Sequence, residues 1–151
     1  MKSIKLGDIQ IEGYNEKTPL YPDWMIEDSH YKREIKETKE NDVILPAKTS
    51  FELVIDYPLS NEFRKKFKTG VKGMTRRQFI NLAVKSYKYV YDTEDKDVGH
   101  KTGNIKGMYN RQTSEGRYGI WGHALGDLVL HTAYIKKGNV IELGVVFLTK
   151  R

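Results

Sequence analysis

Apolar residues recur along this chain with two spacings. The helical one is strongest: Phe79, Ile80, Ala83, Val84, Tyr87, Val90 and Tyr91 repeat every three to four positions and predict a helix over 76–91. Arg77, Asn81, Lys85 and Lys88 fall on its other side, giving one core face and one basic face. Thr75 and Gln78 match the S/T-x-x-E/Q capping box, and Met74 with Phe79 fits a hydrophobic staple.

The second spacing is alternation. FELVIDY at 51–57 puts Phe51, Leu53, Ile55 and Tyr57 on one face of a strand that Pro58 ends. The β-rich runs 128–135 and 140–148 predict a hairpin whose four-residue loop is Lys136, Lys137, Gly138 and Asn139. Pairing Ile135 with Val140 sets Leu128 against Phe147, Leu130 against Val145, Thr132 against Leu143 and Tyr134 against Ile141. That face receives the helix, and His131 points away from it, opposite Gly144. Ile4, Leu6, Ile9 and Ile11 suggest a further strand with a bulge near Gly7. Ser60 is placed to cap a short helix in which Phe63 and Phe67 stack four apart, with Gly70 beyond its end.

The remaining stretches lack a period. Residues 13–31 carry Pro19, Pro22, Tyr14, Tyr21, Trp24 and Tyr31 and read as an irregular arm with aromatic anchors. Residues 32–42 are almost wholly charged and read as a linker. Residues 92–126 contain seven glycines and read as a long loop, with YDTEDKD (91–97) as a solvated stretch after the helix. The expected fold is α+β: an antiparallel sheet with one main amphipathic helix on one face, a short helix and a long Gly-rich loop. The expected division is an acidic strand, arm and linker at 1–42 and a single α+β domain at 43–151.

Composition narrows the chemistry. The chain has 151 residues and no cysteine, which excludes disulfides, thiol nucleophiles and thiolate metal sites. No stretch approaches the roughly 20 apolar residues that span a bilayer. The alternating, acid-containing N-terminus resembles neither a signal nor a transit peptide. The expectation is a soluble intracellular protein that is not secreted and has no membrane partner.

Net charge is +6, but it is unevenly spread. Residues 1–62 hold 8 basic and 13 acidic side chains, and residues 63–151 hold 18 and 7. Residues 63–91 contain nine basic residues and no acid. Such a block attracts polyanions by counterion release, and Arg76, Arg77, Lys85 and Lys88 are its candidate contacts. The alternative is a solvated face balanced by the acidic N-terminal half.

The most unusual segment is 118–127, YGIWGHALGD. Its glycines permit close backbone approach, and Arg117, Tyr118 and Trp121 are candidate binding residues. His123 and Asp127 are candidates for a general acid/base pair. Against that stands a structural role in which both bond loop amides and Trp121 plugs the hairpin. No catalytic residue is assigned beyond these two candidates. His100, His123 and His131 show no metal-ligand spacing, and no cofactor is expected.

FELVIDYPLS, GMTRRQFINLAVKSYKYVYDTED and GRYGIWGHALGDLVLHTAYI together resemble small uncharacterised proteins of large nucleocytoplasmic DNA viruses. The resemblance covers about residues 51–148, and YGIWGH–LGDLVL is its most specific part. It implies a viral protein acting in the cytoplasm or nucleus of the host cell, or packaged in the virion, and carries over no catalytic residue. The leading expectation is a non-enzymatic interaction module that binds a protein partner or self-associates through the 109–127 loop and the N-terminal arm. The alternatives are a sequence-independent nucleic-acid binder using the basic 64–88 surface, and an enzyme centred on His123 and Asp127.

Overall fold

The computed structural model describes residues 7–10, 42–103, 106 and 111–147. Its elements in chain order are β1 (Gly7–Gln10), β2 (Val43–Leu45), β3 (Ser50–Ile55), β4 (Phe63–Lys68), β5 (Met74–Thr75), α1 (Arg76–Val98), a 3-10 turn (Leu125–Asp127), β6 (Leu128–Lys136) and β7 (Val140–Phe147). β1, β6, β7, β3 and β4 form one five-stranded sheet in that order, and β2 pairs with β5 in a two-stranded ribbon. The fold class is α+β, as expected. The sheet is mixed rather than antiparallel throughout, because β3 and β7 run parallel.

One hydrophobic core joins the helix to the sheet. Phe79, Ile80, Ala83, Val84, Tyr87, Val90 and Tyr91 of α1 cluster with Leu53, Ile55, Leu128, Leu130, Ile141 and Leu143. Each fully buried side chain of this size stabilises the fold by roughly 1.5–3 kcal/mol. The Tyr87 hydroxyl, buried with its ring, donates to the Tyr57 carbonyl at 2.9 Å, and burial holds its pKa well above the ordinary value. The capping box is present as predicted: the Gln78 N–H donates to Thr75 Oγ1, and the Thr75 N–H donates to Gln78 Oε1.

Three local expectations are corrected. The short helix expected from Ser60 is absent, and Phe63–Lys68 is strand β4. Phe63 and Phe67 are four apart, which suits a helix face and a strand face equally; pairing with β3 decides it. Phe67 lies opposite Phe51 with ring centroids 5.8 Å apart, and Phe63 lies opposite Ile55. The short helical element is instead the 3-10 turn before β6.

The main helix does not stop at residue 91. It runs seven residues further, to Val98, through the stretch expected to be a solvated loop. Gly99 ends it in the left-handed conformation at φ 82°, where its N–H donates to the Asp95 carbonyl. The extension persists because Glu94 continues the buried stripe, three and four residues beyond Tyr91 and Val90.

The β6–β7 hairpin keeps the expected pairs Leu128–Phe147 and Leu130–Val145, then slips at a bulge between Leu130 and Thr132. Beyond it Thr132 faces Gly144, Ala133 faces Leu143 and Ile135 faces Ile141. The extra residue turns the strand over. Ala133 and Ile135 therefore enter the core in place of Thr132 and Tyr134, and the loop shortens to residues 137–139. The arm at 13–31, most of the linker and the 104–110 stretch apart from Lys106 lie outside the described residues.

Candidate functional site

The helical extension organises the glycine-rich segment after residue 110. Glu94 is fully buried, and its two carboxylate oxygens accept hydrogen bonds from five donors. Oε2 accepts from the Ser114 hydroxyl at 2.6 Å and from the N–H groups of Gly116 (2.9 Å), Gly119 (3.1 Å) and Ile120 (3.4 Å). Oε1 accepts from the Tyr118 N–H at 3.0 Å. Converging amides of this kind form an anion nest, here filled by the chain's own carboxylate. Burial pushes the Glu94 carboxyl up, but the bonds from Ser114, Tyr118, Gly116 and Ile120 outweigh it and leave its pKa below the ordinary value.

Two arginines complete this latch. Arg111 is buried, and its Nη1 donates to Gln112 O, Ser114 Oγ and Ile120 O. Its guanidinium lies 5.4 Å from the Tyr91 ring centroid and 3.8 Å from the Asp95 carboxylate. Arg117 grips Asp97 with two side-chain bonds, Nε to Oδ2 at 2.9 Å and Nη2 to Oδ1 at 3.0 Å. Gly116 is required here by space: a Cβ would stand 2.4 Å from Glu94 Oε1.

The latch determines what the expected site residues of the loop can do. Tyr118 is buried, with its ring 6.1 Å from Phe63. Trp121 remains 39% exposed and stands edge-on to Tyr57 at 5.2 Å. The His123 ring lies 5.6 Å from Tyr57 and 6.0 Å from Trp121, so Trp121 and His123 do come together. His123 is buried, desolvation lowers its pKa, and its carbonyl accepts the Tyr91 hydroxyl at 2.8 Å. Asp127 is buried at the end of the 3-10 turn. Among the described residues, no three or more His, Asp or Glu side chains gather as a metal site would require.

The expected basic surface divides unevenly between strand and helix. Arg76 is buried at the helix start, where its Nη1 meets Asp42 Oδ2 at 3.3 Å. Arg77 and Lys88 are half-buried and engaged with other groups, leaving Lys85 exposed on the helix. β4 is different: Arg64, Lys65, Lys66 and Lys68 are all exposed along the edge strand of the sheet. Arg64 bonds Glu52 and Glu62, each at 2.6 Å. Lys66, Lys68 and the following Lys72 form no ion pair among the described residues.

Between β4 and α1 lies an open depression of about 480 Å³, lined by Glu62, Phe63, Arg64, Lys65, Tyr89 and Tyr118. The Phe63 and Tyr89 rings in its lining are 6.0 Å apart, and Tyr89 is 51% exposed. Sequence reasoning misses Tyr89, Phe63 and Lys65 as a group, because the four-residue phenylalanine repeat places Phe63 on a helix. It also misses Glu94, although an acid continuing an apolar helical stripe is a readable signal of a buried carboxylate.

What the fold and site define is an α+β protein with a mixed sheet, a carboxylate-latched loop and a basic, aromatic-lined sheet edge. Comparison with protein-family models, curated proteins and solved structures finds no match. No helix among the described residues is long and apolar enough to cross a membrane.

Proposed function

We propose that this chain is a non-enzymatic binding module that engages nucleic acid without sequence preference through the β4 edge. One observation carries the reading: an edge strand carries four exposed cations, Arg64, Lys65, Lys66 and Lys68, and the first two of them border a depression with an exposed aromatic ring. Lys72, in the turn that follows the strand, is exposed as well. Lysines on an edge strand also discourage strand-to-strand aggregation, which explains some of them. That role does not require an adjoining aromatic depression. Cations and stacking surfaces side by side are the combination that tracks a phosphate backbone.

The test is equilibrium binding to a fluorescent oligonucleotide over a salt series. Log affinity should fall linearly with log salt. Reversing Lys66, Lys68 and Lys72 to glutamate should flatten that slope, by about one unit for each phosphate no longer neutralised. Undetectable binding at low salt refutes the reading.

A second reading is self-association through Trp121, favoured by the exposure of that ring on the rigid support of Tyr57. It requires a dimer in sedimentation that Trp121→Ala dissociates. A monomer at high concentration excludes it.

A further inference from the structure

We propose that the depression between β4 and α1 seats an unstacked nucleobase, so that the module selects single-stranded over duplex nucleic acid. The inference rests on the binding function proposed above and specifies the ligand that the same edge takes. Phe63 lines it as a buried ring, exposed by only 5%, and Tyr118 lines it too, edge-on to Phe63 at 6.1 Å. Tyr89 rises beside it with half its surface in solvent, its ring inclined 56° to that of Phe63. A half-exposed aromatic ring carried on the main helix beside a buried one is a candidate stacking surface whose ordering cost the fold lowers.

The charges around it fit a nucleotide rather than an uncharged ring. Arg64 and Lys65 stand at the rim, and Lys66 and Lys68 continue along the strand. Glu62 also lines the depression and pairs with Arg64 Nε, so Lys65 is the rim charge that remains to meet a phosphate. Lys65 Nζ lies 5.4 Å from the Phe67 ring centroid, which holds that ammonium close to the strand. A base in a duplex is stacked on both faces and cannot enter such a depression without being flipped out. A single strand offers its bases freely, so the same cations serve both ligands while Tyr89 serves only one.

The experiment compares a labelled oligo(dT) with a duplex of equal length at low salt, using the full chain and Tyr89→Ala, Tyr89→Phe and a Lys66→Glu/Lys68→Glu double variant. The full chain should prefer the single strand. Tyr89→Ala should lower single-strand affinity by about ten-fold or more while duplex affinity stays unchanged, and Tyr89→Phe should retain both. The double lysine variant should weaken both ligands. A 2-aminopurine in the single strand should change fluorescence on binding the unmodified protein, a readout independent of any variant's folding. If Tyr89→Ala leaves single-strand affinity unchanged, or lowers duplex affinity equally, the base site is overturned and the polyanion surface stands. If neither ligand binds the unmodified protein, the surface fails and the base site with it.

Discussion

Replacing Glu94 with alanine removes the acceptor around which residues 114–120 are folded, and the structure sets the scale of the effect. Four backbone N–H groups and the Ser114 hydroxyl are left without their acceptor at once, in a place without solvent to replace it. A hydrogen bond to a charged group contributes about 1.5–3 kcal/mol, but bonds sharing one oxygen are not independent. Counting the three shortest, from Ser114, Gly116 and Tyr118, at the low end gives about 4.5 kcal/mol, within the ~3–5 kcal/mol expected for breaking a buried charged pair. The substitution also withdraws a negative charge near the buried Arg111, which is held partly by attraction to Glu94. For a chain of this size the melting temperature should drop by about 10–15 °C.

Glu94→Gln should cost less, about 2 kcal/mol, because an amide oxygen at the Oε2 position still accepts most of the donors. Its NH2 group would then face the Tyr118 N–H, donor against donor. Urea unfolding monitored by tryptophan fluorescence gives both values, and amide exchange at Gly116, Tyr118 and Gly119 shows whether the loop opens alone or with the core. A local opening limits the shift in midpoint but accelerates those three amides selectively. If Glu94→Ala stays within about 1 kcal/mol of the unmodified chain with those amides still protected, the latch does not hold the loop.

Further outcomes follow from the same geometry. Gly116→Ala should destabilise by about 1–3 kcal/mol, because its Cβ meets Glu94 Oε1 at 2.4 Å, and combining it with Glu94→Ala should cost less than the two effects added; thermal melts of the four proteins check this. Thr75→Ala should cost about 1 kcal/mol by removing the capping-box acceptor, with helical ellipticity retained at moderate temperature. Stability should decline in acid in two stages. Desolvation lowers the folded pKa of His123, so the unfolded chain takes up the proton first; its contribution is full above about pH 6.5 and is lost as pH falls through the lowered folded value. The lowered pKa of Glu94 has the same sign: its contribution is full above about pH 4.3 and is lost as pH falls through the folded value. Urea midpoints across this range for the unmodified chain and His123→Gln test the first stage, which the variant should flatten.

The helix is legible in the sequence through Thr75, Gln78 and the seven-residue apolar stripe, because capping and period are local properties. So are β3 and the paired character of β6 and β7. The end of the helix is not. Residues 92–98 carry four acids, and local propensity reads them as solvated; Glu94 and Asp97 are ordered by Arg117 and by amides more than twenty residues away. The register of β6 escapes for a related reason. Alternation predicts faces only until a bulge, and the bulge before Thr132 exchanges Tyr134 for Ala133 and Ile135 in the core. β4 escapes because a four-residue repeat of phenylalanine suits both a helix and a strand. Only its position beside β3 decides between them.

That last ambiguity bears most on function. As a helix, residues 63–68 would scatter their cations around an axis, leaving α1 as the basic face. As the edge strand, they bring Arg64, Lys65, Lys66 and Lys68 onto one border of the sheet, while most basic residues of α1 are buried or engaged. The same change brings the Phe63 ring within 6.0 Å of that of Tyr89. The border thus combines charge with an aromatic ring. Positive charge by itself would attract any polyanion. The aromatic depression beside it is what makes discrimination between single strands and duplexes the decisive measurement.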